Sequence, residues 1–445
     1  MGLLKNRWKY SDFFRLFNFR DEHSVGRSIL LANTLITTVA NIFVSGVFYT
    51  GFLTVSGIDI VRVGIITFIP YIAWGFSLLS PVLLSKFKRR RGLLLFNHIF
   101  YYACVVLATT VMPAFVADYN QRTIWFAIFL FAGNVLNALV GSGTTAWHIH
   151  FLPDGDDRNI FFSYSNLIST VVGTVVAIAS SVFADSLTGS PQQGQIITIL
   201  RMVALVLFIL CGLLLYLVPQ EYPYPKSADK KVSVLDIITV PIHSKKFLLT
   251  ALIVMLWNAV SSLNGSTWSY YVLNTVGVGY TYMYIGSVVS ALGSVFLLKY
   301  WRRAINYYSW FTILLVTVFV TGLMEFPIGF STSSTKWVYV VVSIIQGLNA
   351  VGTSLVFANL FYINLPHGNM DIFITFWNLT ANISALIGSV AGTWFISVTE
   401  PHGPWMILGL PFYGSQFLVW IKFILLMGVC VYIKLIIPHI QPDRD

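Results

Sequence analysis

The sequence has few charged residues. Asp, Glu, Lys and Arg make up 10% of its 445 residues, whereas a soluble domain carries about 25%. Hydrophobic residues make up 56% of the chain, in runs of about 20 residues, the length that crosses a bilayer as a helix. No soluble core could bury this much apolar surface. We therefore predict an all-α integral membrane protein whose outer surface is covered by lipid.

Acidic residues are also scarce, and none of the 17 lies near the middle of an apolar run. This excludes a proton relay of Asp or Glu at the membrane midplane. The three cysteines, Cys104, Cys211 and Cys430, all fall within apolar runs, which predicts packing and no disulfide framework. No nucleophile, acid–base pair or metal cluster converges in the sequence, so we predict neither an enzyme nor a cofactor.

The apolar runs predict twelve transmembrane helices. Their approximate bounds are 26–50, 58–82, 92–116, 122–146, 160–184, 196–219, 247–274, 280–300, 304–326, 335–363, 372–398 and 414–437. An even number places both termini on one side of the membrane. Most of the 27 Lys and Arg residues fall in segments on that side, which the positive-inside rule makes cytoplasmic. The net charge of +10 follows from this bias and from anionic lipid headgroups, and we predict no nucleic-acid partner.

Two short motifs each occur twice at one spacing. Residues 86–90 recur at 299–303, and residues 152–155 recur at 365–368; 299 − 86 and 365 − 152 are both 213. A polar, Pro- and Lys-rich linker at 220–246 separates the two copies. The chain is therefore predicted to be two parallel halves of six helices, 1–219 and 247–445, an organisation typical of transporters.

This organisation resembles the major facilitator superfamily over residues 26–437. The family carries a Gly-x-x-x-Asp-Arg-x-Gly-Arg-Arg/Lys loop after its second span, and residues 81–90 keep its basic positions but have Pro, Ser and Lys for Gly, Asp and Gly. The resemblance implies alternating access and a cytoplasmic gate formed by Lys86, Arg89, Arg90, Arg302 and Arg303. Acidic partners for that gate are predicted to be Asp154, Asp156, Asp157 or Asp371. The alternative is that these basic residues only fix the orientation.

Neutral polar side chains recur at helical spacing within the predicted spans. Asn33, Thr37 and Asn41 lie four residues apart and share one face of span 1. Similar faces occur on spans 4, 7 and 10, which line the substrate path in the superfamily, and at the start of span 11. The predicted substrate-binding residues are Asn33, Thr37, Asn41, Asn134, Asn137, Asn258, Trp268, Gln346, Asn349 and Trp377. Amides and aromatic rings suit a neutral, hydroxyl-rich solute; the alternative is amide bonding between helices.

A few charges fall inside the spans. Lys422 in span 12 and Glu325 toward the outer end of span 9 are candidates for coupling or for contact with a substrate charge. Lys422 could equally reach outward. Arg62 and Arg201 lie close to the outer ends of spans 2 and 6, and we expect both to snorkel to the headgroups. Gly388 and Gly392 predict close helix packing.

The sequence therefore predicts a monomeric transporter in a cell membrane, of the bacterial cytoplasmic type. Its partners would be a small polar solute, with a sugar or glycoside favoured, membrane lipids and a coupling ion, a proton or sodium. Symport, facilitated diffusion and cation coupling through neutral oxygens stay open. The alternative function is efflux of amphiphilic drug-like compounds. A content of 16% aromatic residues favours efflux, whereas span 5 has Gly173 but lacks the Gly-Pro of several drug antiporters of the superfamily.

Overall fold

The chain is almost entirely helical. The computed structural model describes residues 16–17, 22–152, 156–190, 192–222, 234–366, 370–407 and 409–440. In chain order the helices are α1 Glu22–Val44, α2 Gly46–Val55, α3 Ile60–Trp74, α4 Ser80–Leu84, α5 Arg91–Tyr102, α6 Thr109–Phe115, α7 Tyr119–Phe151, α8 Asp156–Ser186, α9 Gln192–Leu217, α10 Val234–His243, α11 Lys245–Ser261, α12 Gly265–Tyr271, α13 Tyr280–Tyr308, α14 Trp310–Ile328, α15 Lys336–Ile363, α16 Met370–Thr399 and α17 Gly414–Ile440.

Shorter elements complete the description. Two π-helical segments, Ala103–Ala108 and Val272–Val276, continue α5 and α12, and 3-10 turns occupy Gly75–Leu79 and Glu400–His402. Strands β1 (Trp405–Ile407) and β2 (Leu410–Phe412) pair antiparallel, with Trp405 opposite Phe412. They form a hairpin between α16 and α17.

The number of long apolar helices agrees with the twelve predicted spans to within one. Within the described residues, eleven helical stretches are long and apolar enough to cross a membrane. The two parts of α13, Tyr280–Ser294 and Phe296–Tyr308, bend by 68° and would together form a twelfth. The protein is therefore a multi-pass membrane protein.

Several helices begin where the sequence supplies an acceptor for exposed backbone N–H groups. Asp59 precedes α3 and its side chain accepts from the backbone N–H of Arg62 at 2.9 Å. Asp118 precedes α7 and accepts from the N–H groups of Asn120 and Gln121. Each cap satisfies donors that the first helical turn leaves without a partner.

The chain divides into two compact units. Unit N comprises Met1–Phe52 and Phe76–Asp229, and unit C comprises Leu53–Gly75 and Lys230–Asp445. Unit C thus includes α3, which the sequence repeat assigned to the first half. Gly64 explains the packing of α3 on α16, because a Cβ on Gly64 would overlap the side chain of Thr393. The division into six and six helices stays a prediction.

The core of unit N is built from aromatic side chains. Trp147 and Phe151 of α7 and Tyr216 of α9 are fully or almost fully buried, and the Trp147 and Tyr216 ring centroids lie 5.6 Å apart. The indole N–H of Trp147 donates to the Leu215 carbonyl at 3.1 Å. The Tyr216 hydroxyl lies 3.0 Å from the Thr144 hydroxyl, so the polar groups of both rings have hydrogen-bond partners.

Unit C contains helices in direct backbone contact. A Cβ on Gly388 would overlap the carbonyl oxygen of Ala259, and a Cβ on Gly392 would overlap that of Leu263. The backbone of α16 therefore lies directly against the C-terminal end of α11. The prediction of close packing at these two glycines is confirmed.

One prediction about the basic motifs is wrong. Residues 86–90 lie between α4 and α5, but residues 299–303 lie inside α13 and do not form the predicted loop after span 8. The helix continues because Trp301 packs its ring against Gly352 of α15. The turn comes later, at Ser309, whose φ is 124° and whose hydroxyl accepts from the Thr312 backbone N–H at 3.3 Å.

Candidate functional site

The helix of predicted span 7 is broken. α11 ends at Ser261, α12 begins at Gly265, and the chain between them carries the turn sequence Ser-Leu-Asn. Asn-Gly and clustered Ser favour such a turn, because Asn and Ser side chains compete with helical hydrogen bonding and Gly weakens the helix. A break in a membrane helix exposes backbone polar groups, which is tolerated where the break is buried in protein or lines a wet cavity.

This break borders a cavity within unit C. The cavity has a volume of about 160 Å³ and lies among α3, the α11–α12 break and α16. Its lining is rich in hydroxyl groups, which include those of Thr67, Tyr71, Ser262, Ser266, Ser389 and Thr393.

Some of these hydroxyl groups are uncommitted, in the sense that they make no hydrogen bond to a described residue. Thr67 donates to the carbonyls of its own helix, and Ser389 donates to the Ser262 carbonyl at 3.4 Å. The hydroxyls of Ser262, Ser266 and Thr393 make no hydrogen bond to any described residue. These three side chains offer donors and acceptors to a molecule in the cavity.

A buried ion pair lies at the same break. The ammonium of Lys422 on α17 is 2.8 Å from a carboxylate oxygen of Glu325 on α14, and their side chains are 13% and 7% exposed. Lys422 also donates to the Asn264 side-chain oxygen at 3.1 Å, and Asn264 is itself buried. Lys422 therefore points into unit C and does not reach outward. The two embedded charges that the sequence singled out lie together, with the broken helix supplying a third member.

A second buried charge lies in unit N. Arg201 on α9 is 1% exposed, so the expectation that it snorkels to the headgroups is wrong. Its Nε donates to the Thr110 hydroxyl at 2.9 Å, and its Nη2 donates to the Thr109 hydroxyl at 2.9 Å and to the Val105 carbonyl at 3.3 Å. The guanidinium stays inside because the π-helical segment and α6 supply polar partners there.

Arg62 behaves differently from Arg201. Its guanidinium pairs with Asp59 at 2.6 Å, and the two side chains are 30% and 47% exposed. Both residues lie at the start of α3. This pair is accessible to water or headgroups, unlike the pair of Lys422 and Glu325.

The predicted residues on α1 do not share one environment. The side-chain oxygen of Asn33 is buried and makes no hydrogen bond within the described chain. The Thr37 hydroxyl lies 3.6 Å from the Cys211 sulfur on α9. Asn41 is exposed. The four-residue spacing therefore places these side chains along a face that runs from a helix contact to an open surface.

The predicted amides of α7 make local or interhelical hydrogen bonds. Asn134 is buried and donates to the Leu130 carbonyl of its own helix at 2.8 Å. The side-chain oxygen of Asn137 accepts from the Asn97 amide on α5 at 3.2 Å. The contact of Asn137 with Asn97 corresponds to the alternative of amide bonding between helices, whereas that of Asn134 stays within its own helix.

In unit C, the predicted residues divide into committed and uncommitted side chains. Asn349 donates to the Thr317 carbonyl and the Thr321 hydroxyl, both at 2.9 Å, and so joins α15 to α14. Trp377 packs against Phe247 and Phe361 in an apolar cluster.

The other three predicted side chains of unit C are partly exposed. Trp268 lies 5.2 Å from the Tyr271 ring. The amides of Asn258 and Gln346 make no hydrogen bond to the described residues. Asn258 and Gln346 therefore keep their full hydrogen-bonding capacity for another molecule.

The predicted gate residues lie on exposed chain. Lys86, Arg89, Arg302 and Arg303 are exposed, and Arg90 is partly buried and donates to the Phe87 carbonyl at 3.3 Å. Of their predicted partners, Asp154 lies outside the described residues, as do the side chains of Asp156, Asp157 and Asp371. The gate stays a prediction.

Sequence reasoning overlooked three parts of these sites. The helix break beside Asn264 was hidden by a long apolar run, although Asn-Gly is a turn signal. Nothing in the sequence around Thr109 and Thr110 predicts that their hydroxyls accept hydrogen bonds from Arg201. The wall formed by Thr67 and Thr393 depends on how α3 and α16 pack, which their sequences do not specify.

Comparison with known proteins gives the fold. No protein-family model matches the sequence, and no curated protein matches it. A bacterial homologue of the iron transporter ferroportin has a TM-score of 0.63 at 16% identity, over 92% of this chain and 98% of that one. The nucleoside transporter NupG has a TM-score of 0.60 at 12% identity, over 92% and 98%.

The xylose transporter XylE from E. coli has a TM-score of 0.62 at 12% identity, over 95% of this chain and 100% of that chain. These proteins are named as transporters of different solutes, so the shared fold does not identify a substrate for this chain. Together with the helices described above, they show that this chain has the fold of the major facilitator-type transporters.

Proposed function

We propose that the protein moves a small polar solute across a cell membrane by alternating access, and that a sugar or glycoside is the favoured class. The observation that carries this proposal is the broken α11–α12 helix beside a cavity of about 160 Å³ lined by hydroxyl groups. Transporters bind substrates at discontinuous helices, where freed backbone groups and side chains face the solute. Two halves of six helices with both termini cytoplasmic are part of the proposal.

The size of the cavity favours a small solute over an amphiphilic drug. Pockets for drug-sized ligands occupy about 300–1,000 Å³ and are mostly apolar. The cavity here is smaller, and Ser262, Ser266 and Thr393 offer hydroxyls that can both donate and accept. NupG and XylE, which carry a nucleoside and xylose by name, show that this fold accommodates hydroxyl-rich solutes.

The predicted residues contribute unequally to this proposal. Asn41, Asn258 and Gln346 retain side chains available for a solute. Asn134, Asn349 and Trp377 use theirs in packing within or between helices. We therefore place solute recognition on the uncommitted amides and the hydroxyl cavity, and structural support on the others.

We place coupling at Lys422 and Glu325. An embedded carboxylate and ammonium can exchange their mutual contact for a contact with a proton, a cation or a charged group on the solute. Asn264 would connect that exchange to the broken helix, because its side chain accepts from Lys422 while its backbone precedes α12.

The proposal can be tested with purified protein and with liposomes. We would measure thermal stabilisation by neutral sugars, glycosides and nucleosides, and by lipophilic cations. Any stabilising compound would then be loaded into proteoliposomes for transport. Ligands that bind the folded state alone raise its stability with concentration. Stabilisation by lipophilic cations alone would reject the sugar class and favour efflux.

A single hydroxyl provides the sharper test. Thr393→Val keeps the shape of the side chain and removes one uncommitted hydroxyl. A neutral hydrogen bond is worth about 0.5–1.5 kcal/mol, so the apparent Kd of the solute should rise about 2- to 10-fold. Thr198→Val is the matched control, because Thr198 lies on an apolar stretch of α9 and donates to Gly194 of its own helix. Equal behaviour of both variants would remove the cavity from the solute path.

A further inference from the structure

Arg201 carries a positive charge that the described part of unit N does not neutralise. The residue is 1% exposed, and its side-chain partners are two threonine hydroxyls and a backbone carbonyl. No described carboxylate lies within ion-pair distance of it. A guanidinium keeps its charge in proteins, and a buried charge is costly unless it is paired.

The guanidinium is held in one orientation by contacts on one edge and one face. Thr109, Thr110 and the Val105 carbonyl occupy the edge formed by Nε and Nη2. The Phe52 ring lies 3.9 Å from Cζ, in cation–π contact. The third nitrogen, Nη1, is buried and makes no hydrogen bond within the described chain.

The backbone around Arg201 is arranged for this contact. The π-helical segment Ala103–Ala108 directly precedes the two threonines. The Thr109 hydroxyl donates its own hydrogen to the Val105 carbonyl at 2.7 Å and is thereby left as an acceptor for Arg201. Single π turns are rare and occur frequently at functional sites.

Arg122 in the same unit shows what a structural arginine looks like. It is also buried, at 8% exposed. Its Nε and Nη2 both donate to the Val116 carbonyl, at 3.1 and 2.8 Å, and Nη2 reaches the Pro113 carbonyl at 3.4 Å. These carbonyls lie at the end of α6, where a positive charge satisfies acceptors that the helix leaves exposed. Arg122 completes a helix end, whereas Arg201 is placed beside hydroxyls that need no cation.

We propose that Nη1 of Arg201 binds a small anionic group, either a carboxylate carried by the solute or a free halide such as chloride. One nitrogen with two hydrogens suits a single oxygen or a halide, and lacks the second donor of a bidentate phosphate contact. The inference goes beyond the proposed hydroxyl cavity and does not require it.

The test compares anions at constant ionic strength. The full chain would be purified in neutral detergent with methanesulfonate as the only anion. Chloride would replace it in one series, and glucuronate or lactate in another, while Tm is recorded. We expect a saturable rise in Tm of about 2–5 °C in at least one series. Chloride alone would identify a free anion, carboxylates alone would identify a group on the solute, and both together would support an unselective site.

Variants separate binding from structure. Arg201→Met should abolish the rise in Tm on adding the anion. Its Tm in methanesulfonate should equal or exceed that of the wild type, because a buried charge without a counter-charge has been removed. Arg201→Lys keeps the charge but loses the planar guanidinium with its fixed donors, and should lower the affinity for the anion at least tenfold. This variant tests the inference if Arg201→Met does not fold. Arg122→Met should lower Tm and keep the anion response.

Two results would overturn the inference. One is a wild type whose Tm responds to neither anion series. The other is an anion response that persists unchanged in Arg201→Met and Arg201→Lys. Neither result bears on sugar binding, which Thr393→Val tests separately in unit C.

Discussion

Units N and C each bury a positive charge, but they do so in different ways. In unit C, Lys422 lies 2.8 Å from Glu325 and also reaches Asn264. In unit N, Arg201 meets hydroxyls, a carbonyl and an aromatic face, with no described carboxylate. The first centre is complete within its own unit, so disrupting it should destabilise the protein. The second is incomplete, so removing it should change ligand response more than stability.

The largest expected effect comes from splitting the pair in unit C. Glu325→Leu leaves Lys422 buried without its counter-charge and should lower the free energy of unfolding by about 3–5 kcal/mol. The double variant Glu325→Leu, Lys422→Met removes both charges and should regain most of that loss. Reversible unfolding in mixed detergent would measure both. Losses that simply add in the double variant would show that the pair is not a unit.

A smaller effect is expected from the third member of this centre. Asn264→Leu removes the acceptor for Lys422, and a hydrogen bond to a charged group is worth about 1.5–3 kcal/mol. No capping bond is lost, because the Asn264 side chain does not cap α12. Asn382→Leu is the control, since that partly exposed side chain bonds only within its own helix. A comparable loss in the control would attribute the effect to general removal of amides.

The smallest effect is expected from the exposed pair in unit C. Arg62 and Asp59 are closer, at 2.6 Å, than Lys422 and Glu325, yet both are partly exposed. Arg62→Gln should cost about 0.2–1 kcal/mol, and salt should reduce that cost further. Thermal unfolding at low and high salt would measure it. A loss as large as that of Glu325→Leu would mean that distance, and not burial, sets the strength of these pairs.

The sequence predicted the spans well because length and hydropathy are local properties. The long apolar run over predicted span 7 concealed the turn at Ser262–Asn264, since the polar Ser262 and Asn264 barely change the average hydropathy of a long window. Residues 299–303 were predicted to form a loop because clustered basic residues usually mark the end of a span. In the structure the helix continues through them, and Trp301 packs on Gly352.

The sites were predictable in part. The rarity of Lys422 and Glu325 within apolar runs identified both, but their pairing depends on how α14 and α17 pack. Arg201 was misjudged because its nearness to a helix end favours snorkelling, and its actual partners lie about 90 positions earlier in the chain. Local patterns can identify an unusual residue, but its partner is set by tertiary packing.

The contact of Gly388 and Gly392 with α11 has a consequence for engineering. Because a Cβ at either position would overlap a main-chain carbonyl, no side-chain rearrangement can make room there. Larger side chains at these two positions, introduced to change the size or polarity of the hydroxyl cavity, would displace the backbone that forms its wall. The opposite wall of the cavity, to which Thr67 and Tyr71 of α3 contribute, is the place from which the specificity of this chain can be redesigned.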